Sequence, residues 1–176
     1  MNTPPQCGGA PEWLRELAAA RMHYEEMFGW PVAIAVERQV LATPVGRVLD
    51  AVTMPAGLGS KVLTELQLMM LAGPVVATPN NESWMFFTQP VTGPARNVPA
   101  ELRHLQVHLT PPDTHVVIPT HLDSDGDVRW IEQPQPHHPS PPLSVVIGLA
   151  RRVAANLASD EPAAEGVEEG RVLVAS

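Results

Sequence analysis

A chain of 176 residues, 44% apolar and 17% charged, is long enough for one domain with its own core and too apolar to stay unfolded throughout. Twenty prolines, about twice the usual share of ~5%, require long helices and central strands to fit between them, because proline fixes φ and removes a backbone donor. The formal net charge of -8, with Lys61 and ten arginines as the only cations, argues against strong nonspecific binding to nucleic acid. Cys7 is the single cysteine, so neither an intramolecular disulfide nor a zinc-cysteine site can form. No basic region leads into an apolar stretch and the apolar runs are short, which predicts a cytoplasmic protein with no membrane attachment.

Residues 1–11 read as a flexible Pro/Gly-rich leader. Trp13, Leu14, Leu17, Ala18, Met22, Met27 and Phe28 then recur at spacings of three and four, predicting a helix over 12–27 that stops at Gly29. Extended segments follow at 32–36, 40–42 and 45–52, rich in β-branched residues. Pro55 opens a second helix through Leu58, Val62, Leu63, Leu66, Met69 and Met70, ending before Gly73-Pro74. Strands at 75–77 and 84–88 flank the turn Pro79-Asn-Asn-Glu-Ser83, and a short helix spans 99–104. Segments 105–109 and 115–118 read as a hairpin around Pro111-Pro-Asp-Thr114, and Asp123-Ser-Asp-Gly-Asp127 as a turn before a strand at 128–132. A proline-rich connector, 133–142, leads to a last helix over 143–157. The tail, 159–176, carries Asp160, Glu161, Glu165, Glu168 and Glu169 against Arg171 and reads as an acidic solvated end, with Val172-Leu-Val174 able to add as an edge strand. Helices interleaved with strands predict an α+β domain over 12–158, a mainly antiparallel or mixed sheet packed with about three helices.

Motif chemistry is sparse. His104, His108, His115 and His121 lack the helical two-histidine spacing of zinc hydrolases, and His137-His138 sits among prolines. Asp123, Asp125 and Asp127 alternate, but Gly126 precedes the third acid, which breaks the calcium-loop pattern. Gly57-Leu-Gly-Ser-Lys61 has the wrong spacing for a phosphate-binding loop. The aromatic residues fall at apolar positions of helices and strands, where they pack into a core rather than stack on bases.

Four segments, in order, carry a family resemblance: Gly29-Trp-Pro-Val-Ala33 after a helix; Val48-Leu-Asp-Ala-Val52 before a helix; Thr78-Pro-Asn-Asn-Glu-Ser-Trp-Met-Phe-Phe87; and Val107-His-Leu-Thr-Pro-Pro-Asp-Thr-His-Val-Val-Ile-Pro-Thr120, followed by Val128-Arg-Trp130. Together they resemble the primase-polymerase (Prim-Pol) domain of bifunctional DNA primase/polymerases, in the archaeo-eukaryotic primase superfamily, and its short single-domain actinobacterial members. The resemblance implies an RRM-like primase core over about 18–157. It places Asp50 at the first acid of the family's metal-binding Asp-x-Asp, Val52 at the second, Trp84 at the nucleotide-contacting His, His108 at the last catalytic Asp and His115 at a Tyr. One of three carboxylates survives, and one carboxylate cannot hold octahedral Mg²⁺ usefully; His108 is a poor Mg²⁺ ligand. Glu82 in place of a glycine repels phosphate. A catalytically degenerate domain acting as a binding or regulatory module through a protein partner is therefore expected, with no cofactor. Two alternatives stay open. One is a nucleotidyltransferase using Mg²⁺ or Mn²⁺ with Asp50 joined by Glu82, Asp113 or His108. The other is weak binding of nucleotide or single-stranded nucleic acid through Arg47, Trp84, His108, His115 and Arg129.

Overall fold

A computed structural model of the chain describes residues 9–121 and 128–160. The 123–127 turn, most of the leader and the tail beyond 160 lie outside the described residues. The first helix, α1 (Glu12–Phe28), ends at Gly29, whose N–H donates to Glu25 O at 3.1 Å. Strands β1 (Ala33–Ala35) and β2 (Val40–Pro44) pair with β7 (His115–Ile118) in a three-stranded sheet of order β1-β2-β7. Strands β3 (Asp50–Pro55), β4 (Val75–Ala77), β5 (Ser83–Thr88), β6 (His108–Leu109) and β8 (Arg129–Glu132) form a second sheet of order β6-β3-β5-β4-β8. All these pairings are antiparallel. Three helices, α2 (Ala56–Leu68), α3 (Ala100–His104) and α4 (Leu143–Asp160), complete the α+β fold.

The larger sheet is covered on both faces, and the side-chain alternation of its strands divides them between two cores. Val52, Met54, Val75 and Phe86 face the helices, where Leu58, Val62 and Leu66 of α2 and Val146, Ala150 and Val153 of α4 bury them. Ala51, Val76 and Phe87 face the other way and pack with Leu17 and Tyr24 of α1, Leu41 of β2 and Val116 and Ile118 of β7. This second core holds an aromatic cluster. Tyr24 stacks on Trp30 with ring centroids 6.0 Å apart, and Trp30, Phe87 and Trp130 lie within 5.4–6.1 Å of one another. Tyr24 Oη donates to Pro119 O at 2.8 Å and accepts from Trp130 Nε1 at 2.9 Å.

Two local expectations are corrected, and both involve chain crossings between the sheets. The extended run expected over 45–52 breaks: Gly46 turns at φ 106°, Gly46 N–H donates to Leu49 O at 2.8 Å, and β3 starts only at Asp50. A Cβ at Gly46 would lie 3.0 Å from Pro112 Cβ. The expected 105–109/115–118 hairpin does not form, because β6 pairs with β3 in the large sheet and β7 with β2 in the small one. Residues 110–114 are instead the second crossing, and the two crossings bind each other: Val45 N–H donates to Thr114 O and Asp113 N–H to Val45 O, both at 2.9 Å. In addition, α2 ends at Leu68, which leaves Met70 82% exposed rather than on a buried helical face. The expected α+β fold with mainly antiparallel strands is present, its strands divided between two sheets, with three helices on one face of the larger sheet and α1 on the other side.

The start of α4 is seated against β4 by a close approach at Gly73, where a Cβ would fall 2.3 Å from Pro141 Cδ. Gly73→Ala forces the proline and its backbone to move. It should lower stability by about 1–3 kcal/mol, the usual cost of overpacking, read as a fall in denaturation midpoint without a change in slope. Burial pushes the Tyr24 phenol up to about 12, partly countered by the bond from Trp130. The unfolded chain loses that proton near pH 10 while the folded protein keeps it, so stability is full below pH 10 and falls by up to about 2–3 kcal/mol as pH rises toward 12. Tyr24 is the only tyrosine, so phenolate absorbance reads this group alone: a midpoint near pH 10 in the folded protein contradicts the burial, and Tyr24→Phe should remove the phenolate signal.

Candidate functional site

Asp50 begins β3 directly after the first crossing and is completely buried. A carboxylate in such a place must be paired, since desolvating an isolated charge costs far more than a strand position returns. Its partner comes from the segment after β5. Gly93–Ala95 forms a 3₁₀ turn that delivers Arg96, whose Nε and Nη2 donate to Asp50 Oδ1 at 3.2 and 2.9 Å. The backbone N–H of Val91 donates to Asp50 Oδ2 at 2.9 Å. Arg96 Nη2 also donates to Thr110 O, at the second crossing. Both carboxylate oxygens are thus engaged by protein donors, and the Arg96 side chain is itself only 15% exposed.

The other positions singled out in the sequence do not gather around Asp50. Val52, two residues on and on the same face, is fully buried under the helices. Trp84 packs against that same core beneath α2, and a Cβ at Gly59 would lie 3.3 Å from both Trp84 Cβ and Cε3. Its indole Nε1 is buried without a hydrogen-bond partner. His108 sits exposed on edge strand β6, opposite Thr53, while its neighbour Leu109, opposite Val52, points to the helical core. His108 therefore lies on the sheet face away from Val52, its Nε2 3.5 Å from Gln106 Oε1. Glu82 precedes Ser83, which pairs with Pro55 at the far end of β3, whereas Asp50 pairs with Thr88. At ~3.3 Å per residue those ends stand roughly 17 Å apart. Asp113 is exposed, 3.9 Å from Arg47. Among the described residues, no three of His, Cys, Asp and Glu converge as a metal-binding group.

Of the five residues considered for nucleotide contact, Arg47 and His115 share the crossing region, where His115 lies opposite Pro44. Arg129 is elsewhere, on β8, with Nη2 donating to Asn81 Oδ1 at 3.3 Å. Two hollows flank the Asp50 pair without reaching its carboxylate. One, of about 530 Å³, is lined by residues that include Val48, Gln89 and His138; the other, of about 380 Å³, has Arg96 in its wall. Arg96, Val91 and Thr110 were not among the residues expected from sequence; the only available signal was that a lone carboxylate in an apolar strand requires a cation.

No protein-family model, curated protein or solved structure matches the chain. No helix among the described residues is long and apolar enough to cross a membrane.

Removing one member of a buried pair leaves the other desolvated, so Asp50→Ala and Arg96→Ala should each cost about 3–5 kcal/mol in denaturant unfolding. The double variant should lose clearly less than the sum. Strict additivity contradicts the pairing, and so does a gain in stability of the native protein on adding Mn²⁺ that Asp50→Ala abolishes.

Proposed function

We propose that the chain is a Prim-Pol-like domain that has given up nucleotidyl transfer and works as a binding module for a protein partner. The observation carrying this reading is the enclosure of Asp50. The one acid that the resemblance assigns to metal binding spends both oxygens on Arg96 and Val91, and two-metal phosphoryl transfer needs carboxylates free to coordinate. Metal entry would have to expel a guanidinium held by a second bond to Thr110 O.

Support for a protein partner comes from the outer side of the helical layer. An apolar hollow of about 450 Å³ lies between the start of α2 and the end of α4, with Pro55, Leu58, Leu105 and Leu157 in its wall. It shares Leu105 and Ala154 with a neighbouring hollow of about 510 Å³ along α3 and α4, edged by the Arg151–Glu101 ion pair at 2.9 Å. Leu105 and Leu157, which line this groove, are 46% and 39% exposed. An apolar floor with a charged rim is the usual anatomy of a protein interface. The favoured partner presents aliphatic side chains to it.

Two measurements test the reading. Primer synthesis and extension with labelled nucleotides and Mg²⁺ or Mn²⁺ should show no incorporation; incorporation that co-purifies with the folded protein overturns the loss of catalysis. A photo-crosslinker at Leu105 in the native host should give one reproducible protein adduct that Leu157→Glu abolishes, whereas a crosslinker at Arg38 gives none. Equal yields at the two positions overturn the docking groove.

A further inference from the structure

We propose that the hollow bounded by Arg96, Asn97, Arg103 and His108 binds a small phosphomonoester, independently of the protein-docking groove and of any catalysis. It lies between the 96–98 segment, α3, β6 and the second crossing, with a volume of about 380 Å³, inside the usual range for small-molecule sites. Its charged lining is cationic, Arg96 and Arg103, and among the described residues no Asp or Glu contributes to it; the imidazole of His108 is a further polar group in the wall.

The donors differ in availability, and the difference defines the site. Arg96 is held by Asp50 and Thr110 O, so its charge is largely cancelled but its guanidinium is fixed in place. The side chains of Arg103 and Asn97 have no ion-pair or hydrogen-bond partner among the described residues. Arg103 therefore supplies an uncompensated charge, with the Asn97 amide and His108 as further donors around the same cavity. Arginine's planar fork suits a phosphate oxygen pair, and such charge-assisted bonds are roughly twice as strong as neutral ones. The rest of the lining, Val98, Val107, Leu109, Pro111 and Pro112, is apolar. It offers a surface for a carbon body rather than for a second charged group, so a phosphate ester fits better than free phosphate.

Titration of the ¹⁵N-labelled protein with phenyl phosphate, inorganic phosphate and phenol separates the contributions of charge and body. Phenyl phosphate should shift amides at 97–98, 103 and 107–109 with a dissociation constant of about 1 mM or tighter, and bind more tightly than either component alone. Arg103→Gln, a change at an exposed position, should weaken it about fivefold or more, while Arg38→Gln changes nothing. Equal affinity for inorganic phosphate overturns the assignment to a monoester. Shifts unaffected by Arg103→Gln, or none up to about 10 mM phenyl phosphate, overturn the site.

Discussion

The ion pair of Asp50 and Arg96 is the constraint around which the rest of the molecule is arranged. It sits where the chain leaves the small sheet for the large one, and its hydrogen bonds reach two other places: Val91 after β5 and Thr110 at the second crossing. A buried pair of this kind is weak evidence for net stability, since apolar groups of similar volume often do as well. Its importance lies in what it joins. Arg96 is extended toward Asp50 and Thr110 only if the 89–98 segment folds back over the end of β3. The same interaction that engages both oxygens of the acid thus shapes the wall of the hollow that holds Arg96 and Arg103.

The two crossings form a second unit that depends on the first. Residues 45–49 and 110–114 each carry the chain between the sheets, and they hydrogen-bond to one another through Val45, Asp113 and Thr114. Thr110 extends this tie into the large sheet, its N–H donating to Ala51 O at 2.9 Å while its own carbonyl accepts from Arg96. Polar backbone that would be orphaned between two apolar cores is satisfied by this mutual arrangement. Gly46 permits it, because a side chain there would meet Pro112 and the local φ lies in the region L residues avoid.

What could be read from the amino acids was whatever is encoded by local spacing. The helical pattern of Leu58, Val62, Leu63 and Leu66, the stop at Gly29 and the apolar doublets of β4 and β5 all led to the observed elements. Pairing was harder. Segments 105–109 and 115–118, split by two prolines, look like a hairpin to any local rule, yet their partners are β3 and β2, far away in sequence. The break at Gly46 was hidden in a run that otherwise looks extended. Arg96 lies in an irregular stretch with no periodicity, 46 positions from the acid that it neutralises, so only the physical demand of a buried carboxylate pointed toward such a residue. The resemblance to primase-polymerases named the substituted positions, but it gave no indication that Val52 and Trp84 are roofed by α2 while His108 faces away.

The doublets Val75-Val76 and Phe86-Phe87 carry one further consequence. In a sheet wetted on one face, a strand that slips by one residue exposes its apolar side chains and is thereby penalised. Here both faces are dry, and a slipped β5 would still bury a phenylalanine in each core. Hydrophobicity alone is nearly indifferent to the alignment. A one-residue shift of β3 is not neutral, because it would turn the Asp50 carboxylate away from Arg96 into the aromatic core, where burial without a counter-charge is costly. The pairing of Asp50 with Arg96 thus acts as an alignment key for an otherwise ambiguous sheet.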